Sequence, residues 1–441
     1  MTDYSAESCL PIGLPAMTAP APDLDCEGLR PAVATRLLVH DYGGFAFPLE
    51  LSRELARRGH HVVHAYVSFL STPRVDFAKG PDDPPNLEIQ LIPMNPAYGR
   101  NKYSFPRRFF MNLGYAVRLL KFVLKSRPRL VLSGNAPSEV QLPLCMLCRV
   151  RGFAFVNWVQ DFFSIAVTRH ITGKWWGAGS MIGLIYGAAD RWVVERSRNS
   201  ILISDHFVRV LDHWNQSHAP QSVIPNWASV EKLPAGSRDN AWAARHGLAG
   251  RFVFLYSGTL GLKHNPSLFL DLAKRFEPHK DVDVVVISEG AGADWLADKA
   301  QALNRKNLRV MPFQAASELP DVLASADVLT AVLEKDAGQF SVPSKVLTYF
   351  CAQRAILLAV PVDNLASRIV LDNQMGLVSE PGDTEGFIEN AFRLYADGHL
   401  RDEMGARARR YAEDNFDIGT VADKFEHALG ISSPVPAERA G

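Results

Sequence analysis

Short apolar runs that stop at a glycine- or proline-bearing turn, each followed by helical periodicity, recur along most of this chain. That repetition constrains the fold more than any single motif. Thr35 to His40 leads through Gly43 and Gly44 into a helical stretch bearing Leu49, Leu51, Leu55 and Ala56, and then into a strand over His61–Val67. Runs at 130–133, 153–159 and 200–204 repeat the unit, and further runs at 252–257, 282–288, 308–311, 328–332, 355–360 and 376–379 repeat it again. Near-continuous apolar strands alternating with helices read as parallel sheets buried on both faces. The expected class is α/β, with two doubly wound Rossmann-like domains facing a cleft where strand ends and glycine turns gather. A chain of 441 residues exceeds one core. It divides into a leader at 1–34, a first domain at 35–230, a second at 231–415, and a last helix with its tail at 416–441 that returns to the first domain.

Pro11, Pro15, Pro20 and Pro22 fall in a leader that lacks the basic start and apolar core of a signal peptide. No apolar run reaches the roughly 18 residues of a membrane span. Lysines plus arginines equal aspartates plus glutamates at 47 each, so no global field points to nucleic acid. Five cysteines, an odd number in a long chain, fit a reducing cytoplasm rather than a disulfide framework. Cys145 and Cys148 form a C-x-x-C inside the apolar Leu142–Cys148 segment, where core packing outweighs metal or redox use.

Two stretches stand out locally. From Arg100 to Arg129 nine basic residues and no acidic one interleave with Tyr103, Phe105, Phe109, Phe110 and Phe122. Such a segment suits the interface of an anionic membrane, and equally a core-facing helix with a solvated basic back; RNA binding is a third reading. The second stretch runs from Gly338 to Phe350 and reads as a loop entering a helix. Pro343 suits the first turn, Ser341 or Ser344 the cap, and Val346, Leu347 and Phe350 the docking face. The positive end of such a helix attracts phosphate, and Lys345 adds a full charge. Asp161, just past the strand at 153–159, is placed for a site at a strand end, with a helix cap as the structural alternative.

Taken in order, these features resemble a retaining glycosyltransferase of GT-B fold, family 4 type, over nearly all of residues 35–430. The resemblance rests on Gly43-Gly44, Leu55-Ala-Arg-Arg-Gly-His60, Ile203-Ser204, Val223-Ile-Pro-Asn226, Tyr256-Ser-Gly258 with Lys263, Ser288-Glu-Gly290 and Pro343-Ser-Lys345. It implies a UDP- or GDP-linked sugar donor bound mostly by the second domain, an acceptor bound by the first, and no further cofactor or metal. Gly258 and Lys263 would approach the diphosphate, with Lys263 stabilising the leaving group. Phe313 and Gln314 would frame the base, and Glu289 and Thr348 would also bind the donor. Ser344 and Lys345 would hold phosphate, and Gly43-Gly44 would close from the first domain. Asp161 would position or activate the acceptor hydroxyl. The family's paired glutamates, E-x7-E, are absent: Phe340 and Thr348 stand at those positions, and Thr259 stands where an arginine is common. The Pro-Ser-Lys variant resembles a branch acting in surface-polysaccharide assembly at the cytoplasmic face of a membrane. The alternatives are a GT-B-like nucleotide-sugar 2-epimerase and a sugar-nucleotide binding protein without catalysis.

Overall fold

The computed structural model describes residues 34–68, 77–101, 104–171, 178–216, 218–261, 264–335 and 343–434. The first sheet contains β1 (Arg36–Asp41), β2 (His61–Val67), β3 (Leu87–Ile92), β4 (Leu130–Gly134), β5 (Ala154–Val159), β6 (Asn199–Leu202) and β7 (Gln221–Val223). Its strand order is β3-β2-β1-β4-β5-β6-β7, and its neighbouring strands pair in parallel. The second sheet contains β8 (Phe252–Ser257), β9 (Val282–Ile287), β10 (Leu308–Met311), β11 (Val328–Val332), β12 (Ala355–Ala359) and β13 (Gly376–Ser379), in the order β10-β9-β8-β11-β12-β13. Both orders run outward one way and then back past the first strand, so each sheet has a switch point, at β1/β4 and at β8/β11. These are two doubly wound domains.

The central strands are buried on both faces, which is why they read as unbroken apolar runs; β11 and β12 are buried throughout. β3 went unread in the sequence because it is an edge strand whose exposed Glu88 and Gln90 interrupt the apolar pattern. In β9 the acid Asp283 is only 1 % exposed, and Arg251 and Arg309 compensate it, Arg309 at 2.9 Å. Cys145 and Cys148 lie in the core, their thiols pushed up to about 12 by burial.

The helix Ile418–Leu429 packs on the first domain, against the helix Ala46–Arg57 and β6. Arg58, 5 % exposed, donates to Glu426 at 2.7 Å, Asp423 at 2.6 Å and the Gly419 carbonyl at 2.7 Å. The His60 ring sits 3.0 Å from the other Glu426 oxygen. The Arg-Gly-His at 58–60 is therefore a docking socket for this helix. Trp158, Trp227 and Phe425 pack beside it, with the two indoles stacked at 6.1 Å. Trp227 also donates to Glu50 at 2.8 Å, and Asn226 exchanges reciprocal amide bonds with Gln160 at 2.6 and 3.1 Å, which fixes the chain where it leaves the first domain.

Candidate active site

In the second domain the helix Ser344–Cys351 begins directly after Pro343, which occupies the N-cap position with φ −63° and ψ 102°. Proline was expected one position further in, and no side chain caps this helix; Ser344 is its first residue. The pyrrolidine ring therefore precedes the first turn rather than opening it. Lys345 lies across the turn at the end of β8. A Cβ built on Gly258 would fall 2.6 Å from Lys345 Cε and 3.2 Å from Nζ, and Gly258 has φ +148°. The backbone favours glycine here, and a larger residue would also displace the flexible lysine stem. The ammonium donates to the Tyr256 hydroxyl and lies 4.2 Å from the centroid of that ring. Tyr256 in turn donates to the Thr259 carbonyl at 2.7 Å, and burial holds its hydroxyl pKa well above the ordinary value. Tyr349, from the same helix as Lys345, bonds both the N–H and the carbonyl of Ser257 at 3.0 and 3.1 Å. Two buried tyrosines therefore set the lysine against the glycine turn.

The neighbouring strand ends are tied into the same place. Ser288 Oγ accepts from the Leu260 N–H at 2.8 Å. Gly292 lies so close that a Cβ would meet the Leu260 carbonyl oxygen at 2.4 Å. Gly290 holds the N-cap position of the following helix Ala291–Ala302 with φ +106°. The exposed Glu289 carboxylate accepts from the Phe313 N–H at 3.4 Å. Gln314 accepts from Trp242 Nε1 at 3.2 Å and donates to the Pro312 carbonyl at 2.8 Å. Thr348 spends its hydroxyl on the Lys345 carbonyl at 2.6 Å. Gly258, Lys345, Glu289, Phe313 and Gln314 therefore lie along the carboxyl edge of one sheet. This edge joins a cation to the positive end of a helix, a combination that binds anionic oxygens. Lys263 and Ser341 lie outside the described residues.

In the first domain, the glycine turn contains a feature the sequence reading passed over. The Asp41 carboxylate, 2 % exposed, accepts from the N–H groups of Gly43 at 2.9 Å, Gly44 at 3.0 Å and Phe45 at 2.8 Å. The turn has closed on its own anion, and Gly44 adopts φ +66° to do so. Burial outweighs those three donors and pushes Asp41 up to about 7. Its position two residues before Gly43 was the available signal.

Asp161 follows β5 and lines a small cavity of about 20 Å³ with Asn135, Gln141, Asn157, Gln160 and Asp190. Asp190, absent from the sequence reading, accepts from Ser138 Oγ at 2.5 Å and the Ser164 N–H at 3.0 Å, yet burial still raises its carboxyl. Behind the cavity, Gln141 donates to Asn157 at 2.7 Å and to the Ser133 carbonyl at 3.0 Å, and it accepts from Ser133 Oγ at 2.7 Å. Ser133 is then left to accept from His40 Nδ1 at 2.8 Å, so His40 Nε2 accepts from Tyr115 at 2.9 Å. Burial drops the His40 pKa to about 3, in keeping with this neutral tautomer. The polar chain holds β1, β4 and β5 in register beneath Asp161. Asp161 belongs to this first-domain cavity, while the lysine and turn residues belong to the second sheet.

Residues 239–411, less than half the chain, match the family model for glycosyl transferases group 1. No curated protein matches the chain by sequence. Among solved structures, sucrose-phosphate synthase from Thermosynechococcus elongatus is similar at TM-score 0.67 and 13% identity, over 89% of this chain and 97% of that one. HepE of Anabaena, in complex with UDP-glucose, is similar at 0.64 and 12%, over 90% and 99%. The trehalose-6-phosphate protein from E. coli, bound with UDP-2-fluoro glucose, is similar at 0.65 and 12%, over 90% and 99%. At these identities the likeness is one of fold, the two-domain GT-B architecture.

Proposed function

We propose that this protein is a glycosyltransferase that moves a sugar from a UDP- or GDP-linked donor to a hydroxyl acceptor with retention of configuration, in polysaccharide or glycolipid assembly. The observation that carries the reading is Lys345 laid over Gly258 at the head of the helix Ser344–Cys351. The match of residues 239–411 to group 1 glycosyl transferases supports it, as do the uridine nucleotide sugars held by two structural neighbours. In the proposed reaction the bond between the anomeric carbon and the phosphate oxygen breaks, and the nucleoside diphosphate leaves with the electron pair. The acceptor oxygen bonds the same carbon from the same face and gives up its proton to a base. Lys345 and the helix end lower the energy of the departing nucleoside diphosphate, which carries one negative charge more than it did in the donor, where preorganised charge has most effect. Asp161, in the first-domain cavity, is the residue proposed to position or activate the acceptor hydroxyl. The acceptor is a saccharide or a lipid-linked saccharide.

The test is a thermal-shift panel of nucleoside diphosphates and nucleotide sugars on wild type and Lys345→Ala. A ligand that binds only the folded state raises the midpoint by mass action. Stabilisation by one nucleotide, lost in the variant, supports the donor site and names the base; no shift with any of them overturns the reading. The anomeric configuration of the product, read by NMR, then decides retention.

A further inference from the structure

Three helices cover one face of the first sheet: Phe105–Ser126, Ser138–Arg151 and Ala178–Arg196. A single buried carboxylate locks them together. Glu139 accepts from Asn112 on the first helix at 2.7 Å and from the Tyr186 hydroxyl on the third at 3.0 Å. Phe105 and Phe109 pack with Ile182 and Tyr186 at the same end. The outer side of this layer is unusually apolar. Eight of the thirteen exposed large hydrophobic residues among the described ones lie on these helices. Phe110 is 70 % exposed on the first helix, Val150 82 % on the second and Leu184 68 % on the third, where Met181 and Ile185 adjoin it.

The first two of these helices expose only basic charge, in a chain whose formal net charge is zero, and the exposed Glu195 of the third pairs with Arg196 at 3.4 Å. Arg107, Arg118, Lys121 and Lys125 point outward on the first helix, and Arg149 and Arg151 end the second. The first helix carries no acidic residue, and the second carries only Glu139, which is buried. Arg107 and Arg118 flank a groove of about 330 Å³ floored by Gly114 and Met111 and edged by Phe110 and Asn95. Each guanidinium spends a bond on the protein, Arg107 to Asn101 at 3.0 Å and Arg118 to the Pro93 carbonyl at 3.3 Å. A guanidinium offers five N–H donors, so capacity for an anionic oxygen remains.

We propose that this three-helix face docks the protein on an anionic bilayer, with phosphate headgroups in the Arg107–Arg118 groove and Phe110, Leu184 and Ile185 inserted among the acyl chains. Apolar side chains framed by cations on a rigid layer match both halves of such a surface, the hydrocarbon boundary and the phosphates. The inference goes beyond the transfer reaction and stands whichever sugar is moved.

The test floats the full chain with vesicles of phosphatidylcholine alone or with phosphatidylglycerol, at low and high salt. The nucleotide thermal shift is read on the same samples, so loss of docking and loss of donor binding are told apart. Binding is expected to anionic vesicles, to weaken with salt, and to fall about tenfold in Phe110→Ser or Leu184→Ser. Arg118→Gln and Lys121→Gln each lower it about fivefold. Because these side chains are exposed, thermal midpoints stay at the wild-type value. Three results overturn the proposal: vesicle binding that is absent or indifferent to anionic lipid; binding that Leu184→Ser leaves unchanged; or a concentration-dependent dimer, or an RNA complex, that the same substitutions abolish.

Discussion

Replacing Gly258 by alanine tests the centre of the proposed donor site, because backbone and side chain make separable demands there. At φ +148° an alanine is strained by about 1–3 kcal/mol, a cost paid in stability whatever Lys345 does. The new methyl would also fall 2.6 Å from Lys345 Cε, so the flexible lysine stem must move and carry its ammonium off the turn. Losing one charge-assisted bond to a phosphate costs about 1.5–3 kcal/mol, or roughly 10–150-fold in nucleotide affinity. Lys345→Ala should lose a similar amount with little loss of stability, its side chain being only half-buried. In the double variant the two binding losses should not add, since the methyl has no lysine left to displace, while the stability cost of the φ strain persists. Calorimetric titration with the nucleotide that stabilises the wild type gives the affinities, and urea unfolding gives the stabilities. Additive binding losses, or a Gly258→Ala protein that binds like wild type, would refute the placement of Lys345 over the turn as the source of affinity.

Asp41 predicts a pH effect with a definite sign. Its folded carboxyl titrates at about 7 against 3.8 for the free group, so the folded state keeps a proton the unfolded state has released, and stability falls as pH rises from about 4 through about 7. Urea midpoints from pH 5 to 8 should decline less in Asp41→Asn than in wild type; equal slopes would contradict the assignment. Glu426→Ala removes one of three carboxylates around the buried Arg58, Glu54 and Asp423 remaining, and strips the buried His60 ring of its partner; it should cost about 1–3 kcal/mol, measured as a lower urea midpoint. Ser288→Ala strips the acceptor from the Leu260 N–H, with an expected loss of about 1–3 kcal/mol and faster hydrogen exchange at that amide. Cys145, Cys148 and Cys351, buried with thiols raised to about 12, should resist a thiol reagent until the chain is unfolded, as mass mapping of the label would show.

The sequence by itself determined the architecture. Parallel strands covered on both faces must be apolar throughout, so β8, β11 and β12 are legible as runs, and their alternation with helices leaves few folds open. Gly258 and Lys345 could be paired as parts of one site only through resemblance, since 87 residues of chain separate them and spacing does not say that they touch. Tertiary structure decided what occupies each polar group. It turned the Gly43–Gly44 N–H groups toward Asp41, used Tyr256 and Tyr349 to aim the lysine, and spent Thr348 on its own helix. The basic stretch at 100–129 shows the same division. Its composition fitted a membrane-facing helix and a core helix with a solvated back, and the described part, Phe105–Ser126, has a buried face and an open one: Tyr115, Leu119 and Val123 pack in the core, while Phe110 and Val117 face out. Helical periodicity fixes which residues share a face, but only packing against the other two helices determines which face remains open.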